Sequence, residues 1–185
     1  MTVRKHLRDW EILGFLVVGG MGLLLHYTFD WSGGSRFVAA FAGVNDSTWE
    51  HMKLLYLPYF VFTVAEYPVF AEPYRNFFAA KAAAGLCGML LIPLLHYTAA
   101  GMFGAPPSWL NIAIFYLADA AMYLLSYRLL SSFALRGTAW QLAGFALLWA
   151  LLFAFVYFTY RPPQIPLFRD PTTFQYGIPT PERPA

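Results

Sequence analysis

The chain has 185 residues, of which 59% are hydrophobic, 19% aromatic and only 12% charged, with a net charge of +2. A soluble domain of this size needs more charge to cover its surface. The near-neutral balance excludes an electrostatic nucleic-acid binder. The single cysteine, Cys87, falls inside an apolar run, so it forms no internal disulfide and leaves the redox compartment open.

In chain order, Arg4, Lys5 and Arg8 precede an apolar run that resembles a signal peptide. The run is too long for one, and no small-x-small cleavage pattern follows it, so it reads as a retained first membrane span. Apolar runs near the ~20 residues a bilayer requires predict five spans, at 12–27, 54–70, 77–97, 109–129 and 139–160. Between the first two, residues 36–44 are too short to cross and predict a short interfacial or re-entrant helix, with Gly33, Gly34 and Gly43 providing turns. The third span carries Ala80, Ala84 and Gly88 at four-residue spacing, which suits close helix approach at the bundle centre. The fifth is apolar almost throughout and predicts a lipid-facing helix. Residues 161–185 are proline-rich, but Ile165, Leu167, Phe168, Phe174 and Tyr176 are apolar enough to dock. The expected fold is thus an all-α integral membrane bundle over 1–160, with a tail folded back on its outer face and ordered to about Ile178.

The densest polar stretch is Asn45-Asp46-Ser47-Thr48-Trp49-Glu50-His51-Met52-Lys53. Ser47 and Glu50 have capping-box spacing, and Trp49 and Lys53 suit anchors at a lipid interface. The alternative reading of the same residues is a polar pocket. Alternation of the spans gathers His26, Asp30, Glu50, His51, Lys53 and His96 at one membrane face, along with the tail. These six are the candidate pocket lining. His26 and Asp30, at i and i+4, share a helix face. His26, His51 and His96 with a carboxylate form a plausible zinc set, although no tight metal-binding motif is present. The competing reading makes these histidines water-facing interfacial residues.

Deeper in the spans, Glu66 and Lys81 lie where they can pair, which lowers the cost of each charge in lipid. Asp119 lies near the middle of the fourth span. Its options are a proton relay, a cation site, a partner for Lys81, or a hydrogen bond that locks the bundle. Counting Lys and Arg in the flanks places the N-terminus in the cytoplasm and the C-terminus outside.

The run Val44-Asn45-Asp46-Ser47-Thr48-Trp49-Glu50-His51-Met52-Lys53-Leu54, with Asp30-Trp31-Ser32-Gly33-Gly34 and Ile165-Pro166-Leu167-Phe168-Arg169-Asp170-Pro171, resembles a family of small prokaryotic multi-pass membrane proteins classed as a domain of unknown function. The resemblance covers nearly the whole chain and implies an integral membrane protein. It supplies no activity, substrate or catalytic residue. Three functional classes stay open. One is a metal-assisted or acid/base hydrolase acting on a lipid or other amphiphile, with a divalent metal such as zinc as its cofactor. The second is a proton- or ion-coupled carrier or channel using Glu66, Lys81 and Asp119. The third is an accessory subunit of a larger membrane complex. The lipid bilayer is the expected partner, with a homo-oligomer or larger complex possible for the second and third.

Overall fold

The computed structural model describes residues 2–104 and 107–179, with side chains from His6 onward. The side chains of Arg4 and Lys5, and the end of the tail with Arg183, lie outside the described residues. Among the described residues there are six α-helices: α1 (Thr2–Trp31), α2 (Arg36–Ala39), α3 (Thr48–Phe70), α4 (Phe77–Phe103), α5 (Ser108–Leu130) and α6 (Thr138–Tyr160). One 3-10 turn, Pro166–Phe168, follows in the tail, and no strand occurs among the described residues. Four helices are long and apolar enough to cross a membrane: α1, α4, α5 and α6.

The apolar runs dictate the five long helices, and local chemistry sets their ends. Glycines close α1: Gly33 (φ 67°) and Gly34 (φ 76°) return their N–H groups to the carbonyls of Asp30 and Phe29. Only four residues of the expected 36–44 segment are helical, and the chain then turns through Gly43, whose N–H bonds to the Leu25 carbonyl at 3.1 Å. The Ser47 hydroxyl caps α3 by accepting the Glu50 N–H at 3.4 Å. Pro58 and Pro68 lie inside α3. Pro58 has no N–H for the Leu54 carbonyl. Gly22 of α1 lies close to that carbonyl, in a space where a Cβ would come within 3.2 Å of it.

α3 is the most buried helix, against α1 on one side and α4 and α6 on the other. It shares the bundle centre with α4, the helix whose small residues suit close approach there. α4 packs chiefly on α5 and α6. Gly88 sits against the Ala118 carbonyl and Met122, and Gly144 of α6 sits against the backbone of Phe78 and Ala79. Hydrogen bonds reinforce the packing: the Tyr56 hydroxyl donates to the Leu148 carbonyl (2.6 Å) and the Tyr59 hydroxyl to the Lys81 carbonyl (2.8 Å). α6 is the least buried of the four apolar helices. The ends of α1, α4 and α6 and the starts of α3 and α5 collect at one end of the bundle, called here the histidine end. At the opposite end, Asn76 donates to the carbonyls of Leu129 and Ala134, tying α4 to α5.

Candidate functional site

A cavity of about 730 Å³ opens at the histidine end. Gly22, Leu23, His26 and Tyr27 of α1 form one wall, and Ile92, His96 and Ala100 of α4 another. Asn111, Ile112 and Phe115 of α5, Thr48 and His51 of α3, and Asp46 of the preceding loop complete it, with Pro171 and Thr172 of the tail at the edge. His26, His51 and His96 therefore line one cavity, with apolar residues below and between them.

Each imidazole is set by its neighbours. His51 stands before Leu54, where the apolar run of α3 begins, and its Nδ1 lies 3.0 Å from the Ser47 carbonyl. That acceptor fixes the proton on Nδ1 and leaves Nε2 with a lone pair. His96 repeats the arrangement, with Nδ1 3.1 Å from Asn111 Oδ1. His26 stacks beside His51, ring centroids 5.8 Å apart, and its Nε2 is 3.6 Å from Asp46 Oδ1. One ligand atom each from His26, Asp46 and His51 falls within 4.8 Å of the others, a spacing that suits a metal ion. His96 lies outside that group but lines the same cavity.

The other sequence candidates go elsewhere. Asp30 shares a face with His26, yet its side chain is exposed beyond the cavity lining. Asp46 takes the place beside His26 because the loop before α3 folds over the end of α1. Glu50 and Lys53 point into the core, Glu50 nearly and Lys53 fully buried. Glu50 Oε2 accepts the Val44 N–H (3.1 Å) and meets Lys53 Nζ at 2.6 Å. Glu50 thus closes the helix start on Val44 rather than on Ser47, whose own N–H goes to Asn45 Oδ1. Lys53 Nζ also donates to the Ala39 carbonyl (3.0 Å) and Thr159 Oγ1 (2.9 Å). All its donors are used to join α2, α3 and α6, so Lys53 is a tie in the core. Trp49 is likewise no free anchor: its ring packs on Phe155 (4.6 Å) and stacks on Phe168 of the tail (4.5 Å, 29°).

The tail meets this end of the bundle through polar contacts as well. Asn45 Nδ2 donates to the Gly177 carbonyl, and the Asp46 N–H donates to Asp170 Oδ2, both at 2.9 Å. Asp170 Oδ1 accepts the N–H groups of Thr172 and Thr173 at 2.7 Å each. Burial alone would raise the Asp170 carboxyl, but the N–H groups of Thr173, Asp46 and Thr172 outweigh it and hold it below its ordinary range. Asp170 thus fixes the backbone of Asp46, which is a cavity residue.

A second polar cluster lies toward the other end. Lys81 Nζ is 2.6 Å from Glu66 Oε2 and 3.1 Å from Glu11 Oε1, and all three are buried. The Ser126 hydroxyl donates to Glu11 at 2.8 Å. Glu66 and Lys81 come together as their spacing predicts. Glu11 escaped notice because it sits at the boundary between the basic flank and the apolar run. An acid within a run that continues helically on both sides was its only signal. Asn111 and Asp46 were missed for a similar reason: each is a polar residue whose role depends on a partner distant in sequence.

No curated protein and no solved structure gives a significant match to the chain. One family model, described as a family of unknown function (DUF6512), matches residues 1–178. Because that match takes in α1 through α6, the cavity and the tail to Ile178, the chain belongs to the DUF6512 family of unknown function.

Proposed function

We propose that the chain is a five-span membrane protein whose histidine cavity binds a divalent metal and hydrolyses an amphiphile. The observation that carries the reading is the convergence of His26, Asp46 and His51 within metal-binding distance on a cavity with apolar walls. Membrane insertion is supported by the four long apolar helices and by exposed side chains such as Leu16, Leu90, Leu117, Leu142 and Phe153. α3 serves as the fifth span. Its charges do not count against it, because Glu50 meets Lys53 and Glu66 meets Lys81 inside the bundle. Burial of Lys53 also removes it from the outer charge count, which favours a cytoplasmic N-terminus and an outer histidine end.

A metal bound there supplies Lewis acidity and an activated water at neutral pH. His51 and His26 offer nitrogen ligands, and Asp46 offers an oxygen. The Nδ1 contact of His51 with Ser47 orients its ring, as the supporting contacts of metal-bound histidines do. His96, held by Asn111, is placed to take or give a proton as general base or acid. The cavity volume is that of a site for a small organic molecule. Leu23, Ile92, Ile112 and Phe115 suit an acyl or other apolar chain, leaving the polar group beside the histidines.

Metal content and hydrolysis test the proposal together. Protein purified without a polyhistidine tag should carry about one equivalent of a divalent metal per chain. His26→Ala with His51→Ala should lose it and abolish hydrolysis of acyl-ester amphiphiles, with the fold intact by circular dichroism. A wild type that binds no metal on titration, or a double variant that hydrolyses normally, contradicts the reading.

A further inference from the structure

Between the cavity and the Glu11–Lys81–Glu66 cluster runs a file of α5 side chains, two of them buried and polar, facing a stripe of α1. On α5 the stripe is Phe115, Asp119, Tyr123 and Ser126, each about one turn from the next. Phe115 lines the cavity floor and Ser126 bonds to Glu11, so the file begins at one site and ends at the other. Asp119 is fully buried, and neither carboxylate oxygen has a hydrogen-bond partner. Tyr123 is buried with its hydroxyl equally unpartnered. Its ring lies 5.7 Å from Lys81 Nζ and 5.6 Å from the ring of Tyr59.

The facing stripe of α1 is Glu11, Gly14, Gly19 and Gly22. A Cβ at Gly19 would lie 3.3 Å from Asp119 Oδ2, one at Gly14 only 2.4 Å from the Tyr123 ring, and one at Gly22 only 2.4 Å from Phe115. The glycines thus make room for the three α5 side chains, two of them polar without a partner. Packing alone gives no reason to place an unpaired acid there, since a buried carboxylate without a partner is strongly destabilising. Charge sharpens the point. The cluster below has two carboxylates and one ammonium, one negative charge in excess, which a single proton cancels.

We propose that Asp119 binds a proton and passes protons between the histidine cavity and the Glu11–Lys81–Glu66 cluster. The inference rests on the five-span reading but not on the metal. A proton from the cavity converts the Asp119 carboxylate to the acid. Through waters bridging the unpartnered Asp119 and Tyr123 oxygens, the Tyr123 hydroxyl then gives its proton to the excess carboxylate of the cluster and takes the Asp119 proton in exchange. Asp119 returns to a carboxylate, and one proton has moved down the file. The groups that face Asp119 and Tyr123 are Tyr116 on their own helix, Tyr59 and Glu66 on α3, Lys81 on α4 and Glu11 on α1.

The test uses the full chain reconstituted in phosphatidylcholine–phosphatidylglycerol vesicles holding a pH-sensitive dye. An alkaline wash before the assay establishes insertion. Under an imposed pH gradient with potassium and valinomycin, wild-type vesicles should collapse the gradient about tenfold or more faster than protein-free vesicles. Asp119→Asn and Tyr123→Phe should each return the rate to the protein-free level. Infrared spectra should show a protonated-carboxyl band in the wild type that Asp119→Asn removes. Loss of the protein in the wash refutes the five-span reading, and the relay with it. Retained protein with no flux above empty vesicles, or either variant with wild-type flux, overturns the relay alone. Absence of the carboxyl band does the same.

Discussion

Lys81 is the residue on which the most buried charge depends. Its single positive charge meets two carboxylates, Glu66 and Glu11. Lys81→Met should therefore destabilise by about 3–5 kcal/mol, because it strands both acids without a counter-charge. Adding Glu11→Gln and Glu66→Gln should recover part of the loss. Thermal melting in detergent reads the difference, and equal, additive losses would exclude coupling. Asp170 gives a pH-dependent case. Its folded carboxyl is held below the unfolded value, so its contribution is present above the ordinary 3.8 and is lost as pH falls through the lower folded value. Amide protection factors in residues 168–177 should stay high at neutral pH and fall on strong acidification. Asp170→Ala should show low protection at both. The Glu66–Lys81 pair was readable from the sequence because both lie near the same end of adjacent spans. Glu11 was not, since its role depends on how deeply α1 enters the bundle.

At the scale of elements, α6 comes close to the backbone of α4. A Cβ at Gly144 would lie 2.6 Å from the Phe78 carbonyl oxygen and 2.7 Å from the Ala79 backbone, neither of which can rotate away. Gly144→Val should force α6 outward and cost about 1–3 kcal/mol, read as a lower melting temperature. The tail depends on a different glycine. Gly177 has φ 69° and lies against the Pro162 ring and the Thr159 carbonyl. Gly177→Val should undock the tail, so that trypsin cuts after Arg169, a bond it spares in the wild type. Protection of Arg169 in that variant would show that Phe168 on Trp49 suffices alone. The long helices were legible because sustained apolar runs leave few alternatives, and the cap at Ser47 followed from its spacing. The 36–44 segment was over-read as one helix. Its apolar residues suit packing, but Ala39 and Ala42 are buried in a turn against Phe29 and Val44 rather than in a longer helix. Trp49 was misread as an anchor because its partners, Phe155 and Phe168, lie more than 100 residues away.

For the whole molecule, the path of the chain decides which side chains meet. Alternation of helices was enough to bring His26, His51 and His96 to one end, where they line one cavity. It could not select the carboxylate. Helical spacing favoured Asp30, and the fold instead delivers Asp46 from a loop whose position is fixed by Asp170 of the tail. Glu50 and Lys53 were read as cavity residues because they precede an apolar run. Their partners Val44, Ala39 and Thr159, which draw them into the core, appear only in three dimensions. Asp170→Ala should therefore weaken metal binding about tenfold through Asp46 alone, a supporting-contact effect. The most direct measurement of the proposed metal site is X-ray absorption at the zinc edge on protein loaded with one equivalent of zinc. Nitrogen and oxygen ligands at about 2.0–2.2 Å with two-imidazole back-scattering are expected. The imidazole signal should be lost in His26→Ala with His51→Ala. A spectrum of hexa-aqua zinc in the wild type, or an unchanged imidazole signal in that variant, would contradict the account.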